Sequence, residues 1–571
     1  MVLKGIYVGI GGFGKNFGID IYKYLLEHPV YSRQMKGIIC SDLYLAEDFN
    51  SRLQRLGLFH KPDEIYLEIE RIPTAIKYYA ISLPNVETGF IPAGVGKFWV
   101  RAISYAEVNK ETFFQFLTES PDLNIVDISF IVMGASGGGG TGCGTIPVWA
   151  RYIFSKFPSY LNIDPLHIFM PVVSVLPFSG EWGGISEPNA ASLLGRLWRI
   201  TKTIILADND LFGRELSSEQ AQREVNFRLV SSLISLMSAS LYGGLEAADF
   251  NKMFSIGSRA SIAIPAIREF NLDFLKKWED SIKMAIQITL IDNILAKIDL
   301  EKGIKRIYIF LILPYSVDIH EKEIAELPEF IESIVSVEER PMIFVIKDPE
   351  LFRRFIVSIF IIDPYVPRLI DIYFKLKRRI EDRLSLRRYI ESMTSSLSDE
   401  VKREIKIEET ENIIRNAFQQ YENFLEIYLA DFGEKLDESL VKENSFIIPY
   451  DISPKRTIMF HPRIRRKISV DIITENIVWK GEIEEMEDRT GEDMINTLFK
   501  VLSKRLNAPI SPISRLEIKV KIDGQWFYLT PGVLKMLLKD YPPLEKMFIS
   551  DRKVSRYTVL CPKCGNMFEV Y

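Results

Sequence analysis

The sequence Gly-Gly-Gly-Thr-Gly-Cys-Gly occupies residues Gly138–Gly144, between two segments of different character. Ile125–Met133 before it is an apolar run typical of a buried strand, and Ile146–Phe157 after it has the spacing of an amphipathic helix. In such a turn the successive backbone N–H groups form an anion-binding concavity, and the Thr141 hydroxyl can add a donor. A flexible glycine linker is the alternative, but a linker is not expected between a buried strand and a helix. We therefore predict that this stretch binds phosphate.

A second glycine-rich junction, Gly9-Ile10-Gly11-Gly12-Phe13-Gly14-Lys15-Asn16, joins the apolar run Leu3–Ile10 to a helical pattern. Taken alone it has three interpretations. A dinucleotide site needs an acidic residue about 20 positions later, and Asp42, at the end of the second strand, lies too far along the chain. A P-loop has the spacing of Gly9 to Lys15, but Asn16 lacks the hydroxyl that binds magnesium. The third interpretation is a tight strand–helix turn without a ligand.

Strand-like and helix-like segments alternate through the first half of this 571-residue chain. This alternation predicts an α/β fold with a doubly wound parallel sheet, which binds ligands beyond the carboxyl ends of its strands. Both glycine loops fall there. We predict four parts: a nucleotide-binding domain over 1–255, a second, smaller α/β domain over 256–365, a charged helical arm over 366–442, and a mixed α+β domain over 443–571.

The two loops together resemble the tubulin/FtsZ superfamily. GGGTG followed by a small residue and Gly is the tubulin signature, and Gly138–Gly144 matches it. The first loop of FtsZ reads G-x-G-G-G-G-G-N, and Gly9–Asn16 matches most of these positions, with Phe13 and Lys15 as the departures. The order of elements agrees with the family over roughly residues 3–255. The resemblance implies a GTPase domain of tubulin/FtsZ type that binds GTP or GDP, with Mg²⁺ as a further expected cofactor.

The same resemblance implies a set of nucleotide contacts. Ala93 and Gly94 correspond to the loop that faces the terminal phosphate, and Glu181 to the carboxylate that contacts the ribose, although Trp182 stands where FtsZ has Arg. Asn16 and Asn226 correspond to residues that contact the base. By default Asn209 would be a turn residue and Asn226 a solvent-facing helix residue. The full predicted set is Gly11, Gly12, Phe13, Gly14, Lys15, Asn16, Asp42, Ala93, Gly94, Gly138, Gly139, Gly140, Thr141, Gly142, Glu181, Asn209 and Asn226.

The predicted catalytic loop departs from the family pattern. In this family a loop of pattern N-x-D-x-x-[DE] inserts carboxylates beside the terminal phosphate held by the neighbouring subunit, where they can act on water. In the matching stretch here, Ala247 replaces the Asn and Lys252 the second acid. β-Tubulin also has Lys at this position, and the nucleotide that it covers is not hydrolysed. Either hydrolysis is slow or absent, which we favour, or Asp249 with Glu246 supplies the carboxylate.

Cys561-Pro562-Lys563-Cys564-Gly565 has the spacing of half a zinc site. The other cysteines, Cys40 and Cys143, belong to the nucleotide-binding half and do not complete it. A Zn²⁺ site shared between chains, a lost half-site and a redox pair remain open.

Composition excludes several classes of function. The net charge of −5 gives no general attraction to nucleic acid, and no apolar run approaches the length of a transmembrane helix. Few cysteines and the lack of a signal-like N-terminus indicate a cytoplasmic protein. We predict nucleotide-dependent filaments or oligomers, with a protein partner for the C-terminal extension. The alternatives are a GTP-binding regulatory or scaffold protein that does not polymerise, and an ATPase of P-loop type.

Overall fold

The computed structural model describes residues 2–43, 72–81, 95–120, 123, 125–212, 217–257, 259–276, 281–300, 302–397, 402–403, 405–437 and 440. Beyond these it describes six strands between residues 468 and 570. Four predicted functional residues lie outside the described residues, namely Ala93, Gly94, Cys561 and Cys564.

The first half of the chain builds six parallel strands with helices between them. The strands are β1 (Gly5–Ile10), β2 (Met35–Asp42), β3 (Ala75–Ala80), β4 (Phe130–Ser136), β5 (Val172–Leu176) and β6 (Thr203–Asp208). The helices are α1 (Gly11–Glu27), α2 (Pro29–Ser32), α3 (Trp99–Glu119), α4 (Thr141–Leu161), α5 (Glu181–Gly184), α6 (Ser186–Leu197), α7 (Ser218–Gly243) and α8 (Ala247–Phe254). All six residues of β1 are buried, as expected for a strand covered on both faces.

The strand order of this half is β3-β2-β1-β4-β5-β6, so the order reverses between β1 and β4. β1 pairs in parallel with both neighbours. The loops that leave these two strands therefore diverge to opposite sides and open a crevice between them, which is where such sheets bind ligands. Both predicted phosphate loops lie at this point.

The segment 256–365 continues the same sheet. Its elements are β7 (Ser261–Asn271), α9 (Asp273–Lys276), α10 (Ser281–Asp292), β8 (Arg306–Leu313), α11 (Glu321–Ile334), β9 (Met342–Lys347) and β10 (Arg354–Ile362). β7 pairs in parallel with β6, and β10 lies antiparallel between β7 and β8, giving ten strands in one sheet. The segment has the expected α/β composition. A domain boundary at residue 256 stays a prediction.

Three longer helices follow, α12 (Pro367–Ile380), α13 (Arg383–Thr394) and α14 (Ile407–Ala430). We predicted a charged helical arm, and these helices bury one face, with α12 and α14 packed against α6. Tyr421, Phe424 and Leu425 of α14 are fully buried. A Cβ at Gly195 of α6 would lie 2.7 Å from the Tyr421 backbone nitrogen, so the two helices touch closely. Much of their charge therefore lies on the outer face, although the side chain of Arg368 in α12 is only 11% exposed.

A second, antiparallel sheet forms from the C-terminal strands β11 (Ile468–Ile473), β12 (Val478–Ile483), β13 (Glu517–Ile522), β14 (Gln525–Leu529), β15 (Tyr557–Leu560) and β16 (Met567–Val570). Its order is β14-β13-β11-β12-β15-β16. Within the part of the chain described above, no helix combines the length and apolar character needed to cross a bilayer.

Candidate functional site

A cavity of about 510 Å³ opens at the carboxyl ends of the strands, at the reversal between β1 and β4. Its walls come from the loops after β1, β2, β4 and β6, from the segment before α3, and from the first turns of α7. The lining residues are Ile10, Gly11, Gly12, Phe13, Lys15, Asn16, Asp42, Val95, Gly96, Lys97, Ser136, Gly139, Gly140, Thr141, Gly142, Asn209, Gln222 and Asn226.

The two glycine loops touch each other across the cavity floor. Gly11 has φ +73°, which favours glycine, and a Cβ there would lie 3.2 Å from the Gly142 backbone nitrogen. Gly14 lies behind the loop, where a Cβ would come within 2.5 Å of the Gly134 carbonyl oxygen of β4. Gly14 therefore packs the first loop against the sheet and is not among the lining residues.

Two other glycines leave open space inside the cavity. A Cβ at Gly12 or Gly139 would meet no atom within 4 Å, so the protein's own packing does not require glycine there. The loops start α1 and α4, whose first N–H groups lack partners within their helices. The first turn of each helix contains no acidic residue. The floor is therefore a cradle of backbone donors with room for an anion.

Two lysines flank this cradle, and each is paired with a carboxylate. Lys15 Nζ lies 2.9 Å from Asp42 Oδ2, and Lys97 Nζ lies 3.2 Å from Glu181 Oε1. Lys97 also donates to the Gly138 carbonyl oxygen at 2.9 Å. The charges around the glycine loops are thus balanced within the protein, and both ammonium groups lie beside the anion cradle.

Polar amides line the cavity beside the first loop and α7. Asn16 Oδ1 is buried and has no hydrogen-bond partner within the protein. Asn226 Nδ2 donates to Asp20 Oδ2 at 3.2 Å. Asn209 and Asn226 are both buried, so the default expectation that Asn226 faces solvent is wrong. An unpartnered carbonyl oxygen inside a cavity can accept a hydrogen bond from a ligand N–H.

Most of the predicted contacts come together around this cavity. Gly14, Gly138 and Glu181 adjoin it without lining it, and the latter two contact it through Lys97. Prediction did not single out Lys97, Ser136 or Gln222 as contacts. A signal existed for two of them: Lys97 ends the glycine-bearing stretch that includes Ala93 and Gly94, and Gln222 lies one helical turn before Asn226.

Arg368 of α12 connects the helical layer, formed by α12, α13 and α14, to the loops beside the cavity. Its guanidinium lies 2.6 Å from Glu187 and 3.3 Å from Asp210, and it also contacts Ser179. Asp208, which ends β6, is 4.0 Å away. Three carboxylates from α6 and from the end of β6 thus share one cation, which holds the segments around Ser179 and Asn209 in place.

Burial gives Asp208 a pH-dependent effect on stability. Desolvation raises the pKa of its carboxyl from 3.8 to about 6, although Arg368 opposes the shift. A folded-state pKa above the unfolded value favours folding at low pH, and this contribution is lost as the pH rises through about 6. As the pH rises from 4 to 8, the free energy of unfolding of Asp208→Asn should increase by up to about 3 kcal/mol relative to that of the native chain. Urea unfolding of both proteins at pH 4 and pH 8 measures this difference. An equal change in the free energy of unfolding of the two proteins would contradict the prediction.

The open space at Gly139 gives a test of the cradle. Because an alanine Cβ there meets no protein atom, Gly139→Ala should change the unfolding free energy by less than about 1 kcal/mol. The same methyl group would enter the ligand's space and weaken phosphate-ligand binding by about tenfold or more. Melting curves and binding titrations measure the two effects. Gly140→Ala is the contrast, since its Cβ would lie 2.4 Å from the Gly96 oxygen and should destabilise the fold itself.

The candidate catalytic residues lie far from this cavity. Asn251 of α8 donates to the carbonyls of Leu166 and Ile168, which precede β5 and so mark the amino ends of the strands. Asn226 and the end of α7 are separated by about 25 Å along the helix. Asp249 Oδ2 accepts the Glu246 backbone N–H at 2.9 Å and so caps α8, while Lys252 is exposed on it. Within one chain, this acidic loop cannot reach a ligand in the cavity.

Two solved structures share the fold of this chain, which confirms the predicted fold of tubulin/FtsZ type. CetZ2 from Haloferax volcanii, in a GTPγS-bound protofilament, matches with TM-score 0.50 and 14% identity, over 66% of this chain and 99% of that chain. CetZ1 from Haloferax volcanii, a GDP-bound monomer, matches with TM-score 0.51 and 17% identity, over 66% of this chain and 100% of that chain. Neither protein-family models nor curated protein sequences gave a match.

Proposed function

We propose that this is a cytoplasmic protein that binds GTP or GDP in the cavity between the two glycine loops. The observation that carries the proposal is the cradle: two helix N-termini converge on open space at Gly12 and Gly139. Such a cradle suits a di- or triphosphate, and Lys15 and Lys97 add positive charge at its sides. The two structural neighbours carry guanine nucleotides, GTPγS in one and GDP in the other.

The amides that line the cavity favour guanine over adenine. Asn16 Oδ1 is an acceptor without a protein partner, and Asn209, Gln222 and Asn226 line the same cavity. Guanine presents two adjacent donors, N1–H and the N2 amine, on the edge where adenine offers a ring acceptor. A site built to pair with these donors discriminates strongly, because the wrong base leaves buried polar atoms unpaired.

We further propose that copies of this chain assemble head to tail in a nucleotide-dependent way and hydrolyse GTP slowly. The loop with Glu246, Asp249 and Lys252 lies at the amino ends of the strands, opposite the cavity. Only a second copy could bring this loop to the nucleotide. The CetZ2 neighbour forms a protofilament. The Lys252 ammonium supplies no general base at neutral pH, which supports slow turnover.

Nucleotide competition and assembly assays test the proposal. Titration with a fluorescent GTP analogue, followed by displacement with unlabelled GTP and ATP, should show that GTP competes better. Displacement by ATP at lower concentration than GTP would overturn the guanine assignment in favour of an ATPase. Light scattering and negative-stain microscopy should show filaments with GTP. Tight GTP binding without any assembly would reject the filament proposal and favour the regulatory or scaffold alternative.

A further inference from the structure

The charged residues that line the cavity are few and unevenly distributed. Among the described lining residues they are Lys15, Lys97 and Asp42. A nucleoside triphosphate brings several negative charges into this space, and binding requires positive groups that neutralise them. In nucleotide sites the usual agent is Mg²⁺, held by one or two carboxylates and by the phosphates themselves.

The only lining carboxylate among the described residues does not suit Mg²⁺. Asp42 is almost fully buried, and both of its oxygens already have donors. Oδ2 lies 2.9 Å from Lys15 Nζ, and Oδ1 accepts the Leu43 backbone N–H at 2.9 Å. An incoming metal ion would have to displace a buried ammonium, which would then lie beside a second cation. The predicted Mg²⁺ therefore does not fit this cavity.

The two lysines are placed to neutralise phosphate charge directly. Lys15 is the fifth residue of α1, within the glycine loop that starts that helix. Lys97 lies against the other loop, where it donates to the Gly138 carbonyl oxygen. Each ammonium group is paired with a carboxylate of the protein itself, but it carries three N–H donors, so a phosphate oxygen can be a further charge-assisted partner.

The backbone at Lys97 is held while its side chain can reach the ligand. Asn189 Nδ2 donates to the Lys97 carbonyl oxygen at 3.0 Å, and Tyr389 Oη donates to Asn189 Oδ1 at 3.0 Å. A Cβ at Gly140 would lie 2.4 Å from the Gly96 oxygen, so this segment is packed against the phosphate loop. The helical layer thereby fixes Lys97 at the rim of the cradle.

We propose that Lys15 and Lys97 are phosphate ligands that take the place of Mg²⁺, so that this chain binds GTP without a divalent cation. The inference rests on the proposed function and adds the way in which its phosphate charge is neutralised. Asp42 then serves as the partner that orients Lys15, rather than as a metal ligand. The same argument makes Glu181 the partner that holds Lys97 before the ligand binds.

The affinity for a fluorescent GTP analogue, measured in excess Mg²⁺ and in EDTA, tests the inference on the full chain. The native protein should bind with affinities that differ by less than about threefold between the two buffers. Lys15→Ala and Lys97→Ala should each bind about tenfold more weakly in EDTA, because a charge-assisted hydrogen bond is lost. In Lys15→Ala, Mg²⁺ should recover much of that loss, since Asp42 is released from its ammonium partner. A purely structural role for Lys15 would not produce this rescue.

Lys110→Ala is the matched control, since Lys110 is a surface lysine of α3 that pairs with Glu107 away from the cavity. It should bind as the native chain does in both buffers. A loss of native affinity of tenfold or more in EDTA would overturn the inference and leave the proposed GTP binding intact. Failure of the native chain to bind GTP in either buffer would instead overturn the proposed function. Melting curves of the variants without nucleotide separate misfolding from lost binding.

Discussion

Arg368→Ala is expected to lower the free energy of unfolding by about 3–5 kcal/mol, the cost of removing one partner from a buried ion-pair group. Arg368 pairs with Glu187 at 2.6 Å, and Glu187 and Asp208 have side chains only 2% exposed. Lys375 also reaches Glu187, at 2.8 Å, but it does not replace the cation near Asp208. Urea unfolding followed by circular dichroism measures the change. A loss below about 1 kcal/mol would show that these carboxylates do not depend on Arg368.

The charge origin of this effect can be separated from lost packing. The pKa of the Asp208 carboxyl is already about 6 with the arginine present, so lowering the pH toward 5 protonates it. The loss of unfolding free energy in Arg368→Ala should therefore become smaller as the pH falls. Arg368→Lys keeps the charge but loses the planar fork, and its loss should be smaller. Arg378, exposed on the same helix, is the control, and Arg378→Ala should change stability by less than about 0.5 kcal/mol. A deficit that does not vary with pH would point to packing alone.

The position of the cavity could be predicted from sequence because the conformational and steric requirement for glycine is local and visible in the sequence. At Gly11 the left-handed backbone and at Gly14 the close approach of β4 leave no room for a side chain. The buried strands β1 and β4 could also be predicted, because the apolar runs Leu3–Ile10 and Ile125–Met133 are typical of core strands. These features are local, and so the loops and the sheet could be predicted together.

Long-range electrostatic partners could not be predicted in the same way. Nothing near Lys15 in the sequence indicates that its ammonium group meets Asp42, and Arg368 meets Glu187 across 181 positions of the chain. The packing of helices α12 and α14 was not predicted, for a related reason. The many charges of α12 and α14 suggested a solvated arm, whereas their apolar residues recur at helical spacing and bury one face. In a highly charged segment, an apolar face is recognised only when the spacing of the apolar residues is compared with the helical period.

Lys252→Glu is expected to raise GTP turnover by about a hundredfold, and only at protein concentrations that allow assembly. A positioned carboxylate that accepts a proton from water contributes about 10²–10⁴ in rate. Asp249 Oδ2 already accepts the Glu246 N–H and caps α8, so we expect the missing acid at position 252 to limit turnover. Lys252 is exposed in the last turn of α8, so its replacement disturbs no core contact. The cost to the fold should be limited to about 0.3–1 kcal/mol of lost helix-dipole stabilisation.

Lys252→Gln separates the two ways in which this change could act. This substitution removes the ammonium group without adding a carboxylate. If GTP turnover rises equally in the Gln and Glu variants, the native lysine inhibits hydrolysis, and a missing acid is not the cause. Phosphate release measured over a range of protein concentrations should give a rate per chain that increases with concentration in Lys252→Glu. We expect this because the proposed head-to-tail contact would bring the acid of one copy to the nucleotide of the next, since the loop and the cavity lie at opposite ends of the strands. A rate per chain independent of concentration would contradict head-to-tail catalysis, and no gain in Lys252→Glu would refute the assignment of Lys252 as the cause of slow hydrolysis.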